Sequence, residues 1–115
     1  MKIAIATDDK KNISYHFGKA KGFIIIEIKE NKEVSREYRE NIGKNTGECG
    51  SCNHSSMINN IKDCDFIISY GMGQRIYADL LKSKINPIVT DEKTIENALQ
   101  KFITNSLINR KDKLH

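Results

Sequence analysis

Apolar positions gather into three short runs in an otherwise polar chain: Ile3-Ala4-Ile5-Ala6, Phe23 to Ile28, and Cys64 to Tyr70. Runs of this length bounded by polar residues suit buried strands. The first strand, Met1 to Thr7, is expected to stop at Asp8-Asp9, where a polar loop to Gly22 begins. The second, Phe23 to Ile28, is rich in β-branched residues and fits a central position. Glu30-Asn31-Lys32 reads as a turn, so a third strand at about Val34 to Glu40 should pair back as an antiparallel hairpin. Asn41 to His54 is dense in Gly, Asn, Ser and Thr and reads as loop.

From Ser55 the period changes. Ser55 or Ser56 can cap a helix with Met57, Ile58 and Ile61 on one face. The run Cys64 to Tyr70 is the fourth strand, closed by Gly71-Met72-Gly73. A second helix follows, with Ile76, Tyr77, Leu80 and Leu81 at helical spacing. Pro87-Ile88-Val89 forms a short fifth strand, Pro87 suiting its first residue or a sheet edge. Thr94 caps a last helix carrying Ile95, Ala98, Leu99, Phe102 and Ile103. The order β-β-β-α-β-α-β-α predicts an α/β fold. It is a mixed five-stranded sheet, with an antiparallel hairpin region, right-handed crossovers and helices on its faces.

Composition changes that picture little. A chain of 115 residues fits one domain with its own core, here residues 1–104, and the polar tail 105–115 is expected to fray. The net charge of +4 is mild and its two signs are interspersed, as in Asn31 to Glu40. No basic cluster is interleaved with aromatics, so a nucleic-acid partner is not expected. No apolar stretch approaches membrane-spanning length, and the opening residues do not read as a signal peptide. An odd count of three cysteines without such a signal points to reduced thiols in the cytoplasm.

Two regions carry candidate chemistry. In such a sheet, ligands bind beyond the carboxyl ends of the parallel strands. There the loop holding His16-Phe17-Gly18 should meet Gly71-Met72-Gly73, whose glycines admit close backbone approach and whose helix start favours an anion. A tight strand-to-helix turn would also use those glycines. His16 suits a ligand or a packed loop histidine, and Met72 a soft ligand or a residue packing the turn.

The other region is Cys49-x-x-Cys52-x-His54, which a turn eased by Gly47 and Gly50 can fold onto a metal. A fourth ligand would have to come from His16 or Cys64. Zinc, an exogenous cluster, thiol redox chemistry and incidental cysteines all remain open on spacing alone. Against redox, thioredoxin-like pairs sit at a helix start directly after a strand, and this pair does not. Cys64, opening an apolar strand, reads as core. A nuclease with metal-binding carboxylates would need partners for Asp8, Asp9 and Glu27, and none is clearly placed, Asp65 included.

Taken together, MKIAIATDD, ISYHFGKAKGFIIIEI and DFIISYGMGQRIYADLLKSKINPIVT resemble the dinitrogenase iron–molybdenum cofactor-binding family over residues 1–104. The resemblance implies a ribonuclease H-like fold without nuclease activity. It also implies a cluster-binding surface made of His16, Phe17, Gly18, Gly71, Met72 and Gly73, with Cys49, Cys52 and His54 matching a thiol-bearing loop of stand-alone members. On this reading the chain is a cytoplasmic carrier, not an enzyme. It binds an iron–sulfur or iron–molybdenum-type cluster and exchanges it with donor and acceptor proteins. The alternatives are a thiol redox protein or a zinc-stabilised interaction module; oligomeric state is not legible. The chain departs from the family pattern at Lys10 and Lys84, where glycines are common, and at Lys19, where an Arg is frequent.

Overall fold

The apolar runs form the centre of one mixed sheet because both of its faces are covered. A computed structural model of the chain describes residues 1–15, 17, 20–40, 58–104 and 106–107. Strands β1 (Lys2–Thr7), β2 (Gly22–Lys29), β3 (Lys32–Glu40), β4 (Phe66–Ser69) and β5 (Asn86–Val89) lie in the order β3-β2-β1-β4-β5. β1 runs antiparallel to β2 and parallel to β4; β2–β3 is antiparallel and β4–β5 parallel. This is the five-stranded arrangement expected of a ribonuclease H-like motif. Helix α1 (Gln74–Lys82) joins β4 to β5, and α2 (Ile95–Ile103) follows β5.

Alternation sorts the side chains between two cores. Ala4, Ala6, Phe23, Ile25 and Ile67 face one way and pack with Ile76 and Leu80 of α1 and with Ile58 and Ile61. Ile3, Ile5, Ile24, Ile26 and Ile68 face the other way and pack with Ile95, Ala98 and Leu99 of α2. A strand covered on both sides therefore shows an unbroken apolar run where a half-exposed one would alternate. Residues 58–60 are helical, as expected of the segment before β4. Its proposed cap at Ser55 or Ser56, and Met57, lie outside the described residues.

The sequence boundaries shift for local reasons. Glu30 and Asn31 both take left-handed backbone (φ 54° and 62°), giving the two-residue primed turn that matches strand twist. β3 consequently starts at Lys32, before the expected Val34. A register shift opposite Glu27/Ile28 inserts one extra residue, Val34, into β3. The shift sets Glu33 on the same sheet face as Arg36, since their partners Ile28 and Ile26 share one core.

β3 is an exposed edge strand anchored on both faces by arginines. Arg36 bonds Glu33 (2.7 and 2.8 Å) and Glu96 at the start of α2 (2.7 Å). Arg39 makes a bidentate pair with Asp63 (2.7 and 2.9 Å) and donates to the Asn60 carbonyl (2.9 Å). These charge-assisted bonds hold the Asp63 and Glu96 carboxyls below the usual carboxylate range. At the other edge, β5 is short and carries Pro87, the placement expected for that residue. After α2 the chain turns back, with Ser106 and Leu107 N–H groups donating to the Lys101 carbonyl and Leu107 packing on the α2-side core. Residues 105 and 108–115 of the tail expected to fray lie outside the described residues.

Candidate functional site

Three loops meet at the carboxyl end of β1, β4 and β5, one more than the sequence argument assembled. The loop after β1 is built by its own polar groups. Asp9 accepts hydrogen bonds from the Lys11 and Asn12 N–H groups (2.9 and 2.7 Å) and from Asn12 Nδ2 (2.7 Å). These bonds stabilise the charged form and lower its pKa to about 2. Asp8 accepts from the Lys21 N–H (3.0 Å), tying the loop's exit to its entrance. Thr7 Oγ1 donates to the Asn12 carbonyl and accepts from the Lys10 N–H. Both aspartates thus shape a turn, the simpler of the roles open to them. Among the described residues no group of three or more His, Cys, Asp or Glu could hold a metal ion.

Lys10, where the family resemblance led a glycine to be expected, adopts φ 69°, the backbone region glycine enters freely. Its ammonium lies 4.5 Å from the Tyr38 ring centre, a cation–π contact. Lys84, the second departure, has φ 65° just past the end of α1.

The expected meeting of the first loop with the Gly71–Gly73 turn is present. The Phe17 N–H donates to the Gly71 carbonyl (3.1 Å), which also accepts from the buried Ser69 hydroxyl (2.8 Å). The Tyr70 N–H donates to the Ser14 carbonyl (3.3 Å). Phe17 and Met72 direct their side chains inward, 1 % and 2 % exposed, into the α1-side core, and Phe17 packs on Phe23 (ring centres 5.5 Å). Neither side chain is presented to a ligand in this conformation. Cys64 is likewise 4 % exposed, and burial raises its thiol pKa to about 12, so it is the core residue expected and not a thiolate ligand. His16, Gly18, Cys49, Cys52 and His54 lie outside the described residues.

The α1 N-terminus faces this junction. Its N-cap, Gly73, supplies no side-chain hydrogen bond, and no acidic residue occupies the first turn. The leading N–H groups of a helix lack intrahelical partners and carry partial positive charge, so an uncapped start suits an anion. Arg75 is exposed in the same turn. Metal ligation is a different matter: none of Gly71, Met72 and Gly73 presents an accessible soft donor.

Two residues overlooked in sequence complete this end of the sheet. Tyr15 is 60 % exposed and stands edge-on to Tyr70 (ring centres 4.9 Å). Lys93 arrives on the loop after β5, where its carbonyl accepts from the Ile13 N–H (2.8 Å). With Asp8, Asp9, Asn12 and Ile13 they line a cleft of about 340 Å³. The signal was available: β5 is parallel to β4, so its following loop had to reach the same end.

Comparison with known proteins places the architecture. A sequence model of the family described as dinitrogenase iron-molybdenum cofactor matches residues 1–105. An uncharacterized protein of Methanocaldococcus jannaschii is 26% identical over 107 residues, 93% of this chain and 89% of that one. The crystal structure of PH0822 superposes with a TM-score of 0.80 at 26% identity, covering 97% of this chain and 96% of the other. The apo form of the orange protein from Desulfovibrio gigas does so with a TM-score of 0.78, covering 96% and 92%; at 15% identity the likeness is one of fold.

Proposed function

Because this chain belongs to the dinitrogenase iron-molybdenum cofactor family, we propose that it is a cluster carrier and not an enzyme. Its cargo is an anionic iron–sulfur or iron–molybdenum-type cluster held at the carboxyl end of the parallel strands, taken from a donor protein and passed to an acceptor in the cytoplasm. The observation that carries this reading is the open start of α1: N–H groups without a side-chain cap, beside a turn hydrogen-bonded to the loop after β1. That environment balances negative charge without requiring a titratable group. His16, Cys49, Cys52 and His54 supply the imidazole and thiolate ligands in this proposal, and the N–H groups around Gly71, Met72 and Gly73 orient the cargo.

Anaerobic reconstitution with iron, sulfide and molybdate tests it. Visible charge-transfer absorption with retained metal is expected for the parent chain and is lost in a Cys49→Ser/Cys52→Ser variant. Colourless stoichiometric zinc after the same treatment would establish a zinc-stabilised module instead. A metal-free chain with a reversible Cys49–Cys52 disulfide would establish the redox alternative.

A further inference from the structure

The two sheet edges are protected unequally. β5 is short and contains Pro87, whereas β3 runs nine residues with nearly every side chain exposed. The Met1 and Ile28 backbones exchange both hydrogen bonds (2.7 and 3.2 Å), so even-numbered residues of β2 bond β1 and odd-numbered ones bond β3. Through the register Ile25↔Glu37 and Phe23↔Arg39, Glu37 and Arg39 turn their backbone groups toward β2. Arg36, Tyr38 and Glu40 turn theirs to the open edge. Among the described residues only Asn60 Nδ2 reaches these groups, at the Glu40 carbonyl (2.7 Å), which keeps a second lone pair.

We propose that β3 is a self-recognition edge, pairing antiparallel with β3 of a second copy about a two-fold axis at Tyr38. In that register Arg36 opposes Glu40 of the second copy, Glu37 opposes Arg39, and Tyr38 opposes Tyr38. Every charged pair is of opposite sign, which favours directly opposed residues. Sliding the axis to Glu37 sets glutamate against glutamate, and sliding it to Arg36 sets arginine against arginine, so charge selects the register. The extra residue at Val34 lies outside the paired stretch, where the ladder is regular. Because β3 runs in the direction of β1, antiparallel pairing points the two strand-end sites away from each other. Both stay open to cargo.

Sedimentation velocity on the full metal-free chain, from low micromolar to millimolar concentration, tests the proposal independently of any cluster. A reversible dimer is expected. Glu37→Arg/Glu40→Lys, with folding checked by circular dichroism, weakens it roughly tenfold or more, while Val34→Lys leaves it unchanged. Hydrogen exchange on the parent chain gives a second readout without substitution. The Arg36 and Tyr38 amides gain protection as concentration rises, whereas Glu37 and Arg39 are protected throughout. A chain monomeric at all concentrations overturns the proposal. So does a dimer indifferent to the charge reversal or equally sensitive to Val34→Lys, and so do edge amides that ignore concentration.

Discussion

The two helices following β4 and β5 start at the same end of the sheet but are finished differently. α2 begins at Thr94, whose hydroxyl accepts from the Asn97 N–H (3.2 Å), with Glu96 in its first turn. α1 begins at Gly73 with no side-chain cap and no acidic residue in its first turn. Capping residues cost nothing in sequence space, and each is worth about 1 kcal/mol. One helix start is closed by a side-chain cap and the other, where the loops converge, is not. In the proposed reading α2 serves stability and α1 presents donors to an anion.

Removing what holds the α1 start in place gives the largest effect. Phe17→Ala deletes a buried ring beneath the Phe17–Gly71 hydrogen bond and should cost about 3–5 kcal/mol in denaturant unfolding. Closing the α1 start comes next. Gly73 has φ −77° and ψ 153°, which any residue adopts, so Gly73→Asp can be made without backbone strain. It should hold or slightly raise stability while weakening anionic cargo about tenfold, a difference near 1.4 kcal/mol measured by competition titration. Opening the closed helix start is the converse: Thr94→Ala should cost about 1 kcal/mol of unfolding free energy and leave cargo affinity unchanged.

The acid limb of stability separates the loop carboxylates from the cap. Asp9 titrates near pH 2 in the folded chain, below its ordinary value near 3.8. A group with a depressed folded pKa contributes stability fully present above its unfolded value, lost as pH falls through the folded one. Stability should therefore fall between about pH 4 and 2. Asp9→Asn should flatten that decline in acid-denaturation curves. The smallest effect is expected at Lys84, whose left-handed backbone past α1 suits glycine. Lys84→Gly should stabilise by about 0.5 kcal/mol, strain relief offset by the greater freedom of glycine in the unfolded chain.

The sequence disclosed features that depend on neighbours along the chain. β1 and β2 were legible because double-sided burial leaves unbroken isoleucine and alanine runs, and Thr94 because a cap hydroxyl acts three residues away. The approach of Phe17 to Gly71 followed from topology: parallel strands deliver their loops to one end. The arginine anchors were hidden, because Arg39–Asp63 and Arg36–Glu96 join residues 24 and 60 apart in a chain full of interspersed charge. Spacing likewise could not show that Phe17 and Met72 turn inward, since an aromatic beside a histidine and a methionine between glycines fit either direction. The thiol loop is a matter of composition: Cys49-x-x-Cys52-x-His54 lies outside the described residues.

Cluster retention by the parent chain, Gly73→Asp and Thr94→Ala, loaded anaerobically side by side and desalted, tests the central claim most directly. The asymmetry between the helix starts predicts coloured metal retained by the parent and by Thr94→Ala, and clearly less of it by Gly73→Asp at full folding. Equal retention in all three would contradict it, and the open start of α1 would then be a bare glycine turn with no part in holding cargo.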